Sequence, residues 1–151
     1  VADTGIQVTH SDFGERARAE IESLGAGVRQ CNGMGPEACG WDVDGHGTFC
    51  AAVVGGTRYG VAKRAEIHAV KILGDQGIGR YSWFVAALDW IATNGQRPAV
   101  LTASLGSSGR SPTVDLAVER LAASGVVVVV AAGNSATDAC RFTPASSRSA
   151  I

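Results

Sequence analysis

Five consecutive valines, Val126 to Val130, constrain the fold of this chain more than any other stretch. A strand with one wet face alternates apolar and polar residues, whereas an unbroken β-branched run suits a strand covered on both faces. Such strands belong to parallel sheets with helices packed over them. The rest of the chain fits that frame. E-I-H-A-V-K-I-L (Glu66 to Leu73) and Ala99 to Leu105 read as strands. His46 to about Val54, Ser82 to Thr93 behind a serine cap, and Thr113 to Ser124 place apolar groups at helical spacing. Gly55-Gly56 and Asn94-Gly95 supply helix stops. Gly14 to Gly27 is polar and rich in helix formers, and Val28 to Asp44 is a turn-rich excursion. Strands alternating with short helices predict an α/β domain with a largely parallel sheet and right-handed crossovers.

A chain of 151 residues is long enough for one domain with a real core. A formal net charge of −1 gives no electrostatic argument for nucleic acid or an anionic membrane. No apolar run approaches the roughly 20 residues of a membrane span. Val1-Ala2 reads as the stub of a strand and S-S-R-S-A-I stops as an apolar segment begins, so the expectation is an internal fragment, incomplete at both ends. Cys31 and Cys39 flank a Gly/Pro-rich loop and can either close it as a local disulfide or stay reduced. The four cysteines show no paired CxxC or CxxH spacing of a zinc site.

In α/β sheets ligands gather at the carboxyl ends of the strands. Three short motifs stand at such ends: D-T-G at Asp3, S-L-G at Ser104, and A-A-G-N at Ala131 to Asn134. A fourth, D-G-H-G-T at Asp44 to Thr48, opens a helix. Glycines on both sides of His46 let the backbone turn and approach a neighbour closely, and a helix starting at His46 presents the imidazole from its first turn.

These motifs, in this order and over nearly the whole chain, resemble the subtilisin-like serine proteases, and Y-G-V-A-K (Tyr59 to Lys63) with the nearby Cys50 is most similar to the proteinase K branch. The resemblance implies a three-layer α/β fold with a mostly parallel sheet flanked by helices, of which residues 1–151 are the N-terminal and central part of the peptidase domain. It implies a serine endopeptidase in which Asp3 orients His46, His46 relays a serine proton, and Asn134 donates to the oxyanion. Gly77, Ile78 and Gly79, and Ser104, Leu105 and Gly106, would offer backbone to a peptide bound as an added strand. Tyr81 would rim a distal pocket, and Ala131, Ala132 and Gly133 would wall the primary one. No cofactor is required for such chemistry and no catalytic metal is assigned. The family leaves room for structural calcium and for a propeptide or protein inhibitor as partner, and it points to secretion. It also implies that Cys140 pairs with a cysteine further along. The nucleophile of the family sits in a G-T-S motif, and none occurs in these residues.

Other readings of the same residues stay open. D-T-G also marks aspartic proteases, but no second D-T-G occurs here. Asp42, Asp44 and His46 alternate like metal ligands without a fourth convergent one. Cys50, one helical turn beyond His46, can neighbour it, although a buried helix thiol is usually inert. S-L-G-S-S-G could cradle phosphate but matches no nucleotide-binding fingerprint. Asn134 could be a turn residue, and His10 and His68 read as structural. Ser11 and Phe49 depart from the family pattern without touching a proposed catalytic atom. From a different class, a non-catalytic peptide-binding or pseudoprotease module would keep the cleft and lose the chemistry.

Overall fold

The computed structural model describes residues 1–151, which divide into two units, Val1–Trp83 and Phe84–Ile151. The first holds β1 (Ala2–Asp3), β2 (Ala17–Glu22), β3 (Arg29–Gln30), α1 (His46–Gly55) and β4 (Ile67–Lys71). Its sheet runs β1-β4-β2-β3, with β4 parallel to both β1 and β2, and β3 antiparallel at the edge. Strand β2 corrects the helical expectation for 14–27. Ala17, Arg18, Glu20 and Glu22 favour helix, but six residues gain far more from pairing along β4 than from local propensity. The register slips between Ala19 and Ile21, which keeps Ile21 fully buried.

Helix α1 packs through a stripe of small residues, Gly47, Ala51 and Gly55, spaced one helical turn apart. The stripe permits close approach: a Cβ on Gly55 would stand 2.5 Å from Cδ1 of Ile67. Ile6, Phe13, Ala51, Ile67 and Ala69 form the core beneath it. Burying a side chain the size of Phe13 or Ile6 contributes about 1.5–3 kcal/mol. Cys31 and Cys39 are joined in a disulfide that closes the excursion before α1.

Helix α2 (Tyr81–Asn94) buries Phe84, Ala87, Leu88 and Ile91. Ser82 lies within its first turn, not at the cap. The second unit continues with β5 (Ala99–Ala103), β6 (Ser107–Ser108), α3 (Pro112–Ala123), β7 (Val126–Val130) and β8 (Phe142–Thr143). Ser111 caps α3, its Oγ accepting from the Val114 N–H at 3.5 Å, and Pro112 occupies the first turn, where its missing N–H costs nothing. Strands β5 and β7 pair in parallel from Ala99–Val126 to Ala103–Val130, and β6 pairs antiparallel with β8. The valine run is covered on one side only. Val126 and Val128 are buried with Leu101 and Ala103, while Val127 is 46% and Val100 63% exposed. The uniform composition predicted cover on both faces; within the second unit one face has it.

Candidate active site

Asp3 ends β1 and is fully buried. His46 is the first residue of α1, with its side chain 47% exposed. Separated by 43 positions, the two meet: Asp3 Oδ1 lies 2.7 Å from His46 Nδ1 and also accepts the Thr4 N–H at 2.7 Å. A carboxylate only accepts, so Nδ1 carries the proton and donates, leaving Nε2 as the basic nitrogen of the neutral ring. The other Asp3 oxygen, Oδ2, is buried without a protein hydrogen bond. The hydrogen bond to Asp3 raises the His46 pKa above the ordinary 6.5; burial opposes it, and the charges of Asp3, Asp44 and Asp42 add to it.

The helix start explains the Gly-His-Gly sequence. Gly45, at the cap, has φ +99°, and it carries no side chain to satisfy the helix's first N–H groups. Neighbours do so. Asp42 Oδ1 accepts from Gly45 N at 2.8 Å, Asp44 Oδ1 from His46 N at 3.1 Å, Thr4 Oγ1 from Gly47 N at 2.9 Å, and Asp42 Oδ2 from Thr48 N at 2.8 Å. The ladder proper begins with Phe49 N to Gly45 O at 3.0 Å. Asp42 is thus spent on protein donors, which removes the Asp42–Asp44–His46 metal reading. The residues whose donor atoms do converge are Asp3, His46 and Cys50, all within 4.8 Å of one another. Cys50 Sγ lies 3.9 Å from both ring nitrogens of His46, and the residue is partly exposed, not buried as expected.

Gly77 to Gly79 form the tip of a tight hairpin: Leu73 bridges Gly79, and Gly74 N donates to Ile78 O at 2.8 Å. Gly77 adopts φ +71°, and a Cβ there would lie 3.5 Å from Asp44 Oδ2, so the hairpin tip stands beside the turn that presents His46. Ile78 and Tyr81 project at 73% and 40% exposure. In the second unit, β5 and β7 end together, and Ala131 N donates to Ala103 O at 3.2 Å. Ser104-Leu105-Gly106 and Ala131-Ala132-Gly133-Asn134 therefore leave the same end of that pair side by side. Gly133 turns at φ +94°, and Asn134 follows it exposed. His68 Nδ1 pairs with Glu20 Oε2 at 2.8 Å, and His10 Nδ1 accepts the Asp12 N–H at 3.2 Å, both away from this constellation. Sequence reasoning missed Asp42 and Thr4 as partners of the site. The available signal was a glycine cap, which needs an acceptor from elsewhere.

A buried carboxylate hydrogen-bonded to a histidine on the first turn of a helix, at the carboxyl end of a parallel strand, defines an α/β protein with an acid–base pair. Residues 1–151 match the model of the Subtilase family, and the chain belongs to that family. An extracellular serine proteinase of Thermus sp. (strain Rt41A) is 42% identical over 151 residues, 100% of this chain and 34% of that protein. Proteinase R of Parengyodontium album is 39% identical over 153 residues, 99% of this chain and 36% of that protein. A cold adapted subtilisin-like serine proteinase of known crystal structure superposes with a TM-score of 0.87 at 37% identity, covering 99% of this chain and 51% of that one. The fold is subtilisin-like, as the motifs implied. The chain spans about a third of the length of the first two relatives.

Proposed function

We propose that the protein is a serine endopeptidase of the subtilisin-like class and that residues 1–151, part of its peptidase domain, supply the acid–base pair. The observation that carries the reading is the 2.7 Å hydrogen bond from His46 Nδ1 to buried Asp3. Asp3 fixes the tautomer and stabilises the imidazolium. His46 Nε2 takes the proton of a serine hydroxyl as that oxygen attacks the peptide carbonyl, then returns it to the leaving amine. The serine would come from a G-T-S segment outside these residues. Asn134 would donate its side-chain amide to the oxyanion of the tetrahedral intermediate. Backbone groups at 77–79 and at 104–106 would pair with an extended polypeptide substrate, with Tyr81 at a distal rim and Ala131 to Gly133 lining the primary pocket. The chemistry asks for no cofactor. No helix is long and apolar enough to cross a membrane, and a relative is named extracellular, which supports a secreted enzyme.

The test is hydrolysis of a chromogenic peptide by the full-length protein and its His46→Ala variant. Hydrolysis lost in the variant is expected. Tight peptide binding without hydrolysis in a full-length chain lacking G-T-S would instead identify a pseudoprotease binding module.

A further inference from the structure

We infer that Asp42 is a positioning residue for the catalytic pair, a buried anion that locks the D-T-G loop onto the first turn of α1. Its consequence for catalysis rests on the protease reading above; its geometry does not. Asp42 is fully buried, and its two oxygens take donors from both sides. Oδ1 accepts from Thr4 Oγ1 at 2.7 Å and from Gly45 N at 2.8 Å, and Oδ2 accepts from Thr48 N at 2.8 Å and from Thr48 Oγ1 at 2.5 Å.

Because the carboxylate only accepts, it fixes the direction of both hydroxyls. Each must point its hydrogen at Asp42, and each then has lone pairs free to accept from elsewhere. Thr4 Oγ1 accepts Gly47 N at 2.9 Å, and Thr48 Oγ1 accepts Gln7 N at 3.0 Å. Two relays result, Asp42–Thr4–Gly47 and Asp42–Thr48–Gln7, crossing between loop and helix in opposite directions. Thr4 adjoins Asp3 and Gly47 adjoins His46, so the first relay ties together the immediate neighbours of the hydrogen-bonded pair. Gln7 Nε2 closes the loop side by donating to the Asp42 carbonyl at 3.1 Å.

This arrangement distinguishes aspartate from asparagine. Each Asp42 oxygen faces a backbone N–H, Gly45 N on one and Thr48 N on the other. An asparagine would set its NH₂ against one of them in either orientation, and a buried donor would be left unmade. Burial pushes the Asp42 carboxyl up, but the bonds from Thr48, Gly45 and Thr4 outweigh it and hold its pKa below the usual range, consistent with a permanent anion.

The experiment uses the full-length protein with Asp42→Asn and Thr4→Val. It reads kcat and KM on a chromogenic peptide and, independently of turnover, the pH titration of the His46 imidazole by NMR. The second variant matters because Asp42, like Asp3 and Asp44, is a negative charge facing His46, with the Cys50 sulfur also beside the ring. Asp42→Asn shifts the titration through the lost charge as well as through the relays; Thr4→Val changes no charge and cuts only the relay. A misplacement near 1 Å can cost about 10²-fold in rate, so Asp42→Asn is expected to lose roughly that much in kcat with KM little changed. Thr4→Val is expected to lower the His46 pKa as the Asp3 bond lengthens, and Thr4→Ser, which restores the hydroxyl, to recover it. A folded Thr4→Val protein with His46 titration and kcat both unchanged would overturn the inference and leave Asp42 a mere helix cap. If the full-length protein hydrolyses nothing, the protease reading fails, and the His46 titrations still decide this one.

Discussion

A Cβ on Gly47 would stand 2.2 Å from the carbonyl oxygen of Gly5 and 3.0 Å from Cβ of Asp3. The helix that carries His46 thus reaches the loop that carries Asp3 only because the residue after the histidine has no side chain. Gly5 is constrained in turn, with φ +108° and a would-be Cβ 2.5 Å from Gly40 O. The glycines of G-H-G-T and D-T-G are two halves of one contact, and the 2.7 Å bond between Asp3 and His46 is its product.

Gly47→Ala is therefore expected to push α1 off the loop. Forced overpacking of this kind costs about 1–3 kcal/mol, visible as a lower Tm, and the His46 pKa should fall as the Asp3 bond lengthens. Gly35→Ala, where a Cβ would meet nothing within 4 Å, should change stability by less than about 0.5 kcal/mol. Equal losses from both would show that the close approach is not limiting.

Under the proposed mechanism, His46 would set an acid limit on activity. The hydrogen bond to Asp3, opposed by burial and assisted by the charges of Asp3, Asp44 and Asp42, raises its pKa above 6.5. Nε2 must be unprotonated to accept a proton, so kcat/KM should fall as the pH drops through that raised value. Asp44→Asn removes a positive-stabilising charge and should move the limb to lower pH. The linkage runs the other way: a raised folded pKa lends stability that is full below the ordinary 6.5 and fades as the pH rises through the folded value. With the ring 47% exposed, solvent screens that contribution. A pH profile of kcat/KM for both proteins tests the sign; a limb shifted upward by Asp44→Asn would contradict it.

How far the sequence foretold this site depends on how local each cause is. His46 at a helix start was legible because glycines bracket it. The Cys31–Cys39 loop was legible as a closure but not as oxidised, since spacing says nothing about redox state. Strand β2 was not legible: its helix-forming composition is overruled by pairing with β4, far along the chain. Asp42 was hardest, because its donors come from Thr4, Gly45 and Thr48, and only the folded chain brings them to one carboxylate.

Asn134, exposed after the turn at Gly133, is the oxyanion donor proposed above. Asn134→Ala in the full-length enzyme should lower kcat by about 10² to 10³ and leave KM nearly unchanged, because the donor serves a charge that exists only in the transition state. A raised KM with kcat intact would make Asn134 a substrate-binding residue.

The Cys31–Cys39 bridge joins positions 8 apart and anchors the segment leading to Asp42, where Gly40 O accepts Ile6 N at 3.0 Å. Closing so short a loop stabilises by about 2.5 kcal/mol in the chain-entropy account. Replacing both cysteines by serine should lower the denaturation midpoint by a corresponding amount, with the His46 titration held by Asp42 and Thr4. Cys140, exposed and outside any bridge among these residues, is expected by family resemblance to pair with a later cysteine. Mass mapping of the oxidised full-length protein checks both pairings, and a Cys31–Cys140 link would refute them.

The partly exposed thiol of Cys50, 3.9 Å from both nitrogens of His46, raises the question of which nucleophile the histidine serves. A thiol beside an imidazole is a nucleophile wherever the ring can take its proton. Here, however, Nδ1 is engaged by Asp3 at 2.7 Å, and Cys50 sits one turn along the same helix with its sulfur 3.9 Å from both nitrogens. The proposed serine mechanism gives that thiol no role, so the two nucleophiles are separated by experiment. These 151 residues, carrying no G-T-S segment, should accordingly show no turnover of a chromogenic peptide by themselves. Activity should appear only with the serine-bearing remainder supplied, should vanish with His46→Ala, and should survive Cys50→Ala. Turnover by the 151-residue chain alone, abolished in Cys50→Ala, would instead assign the chemistry to the thiol.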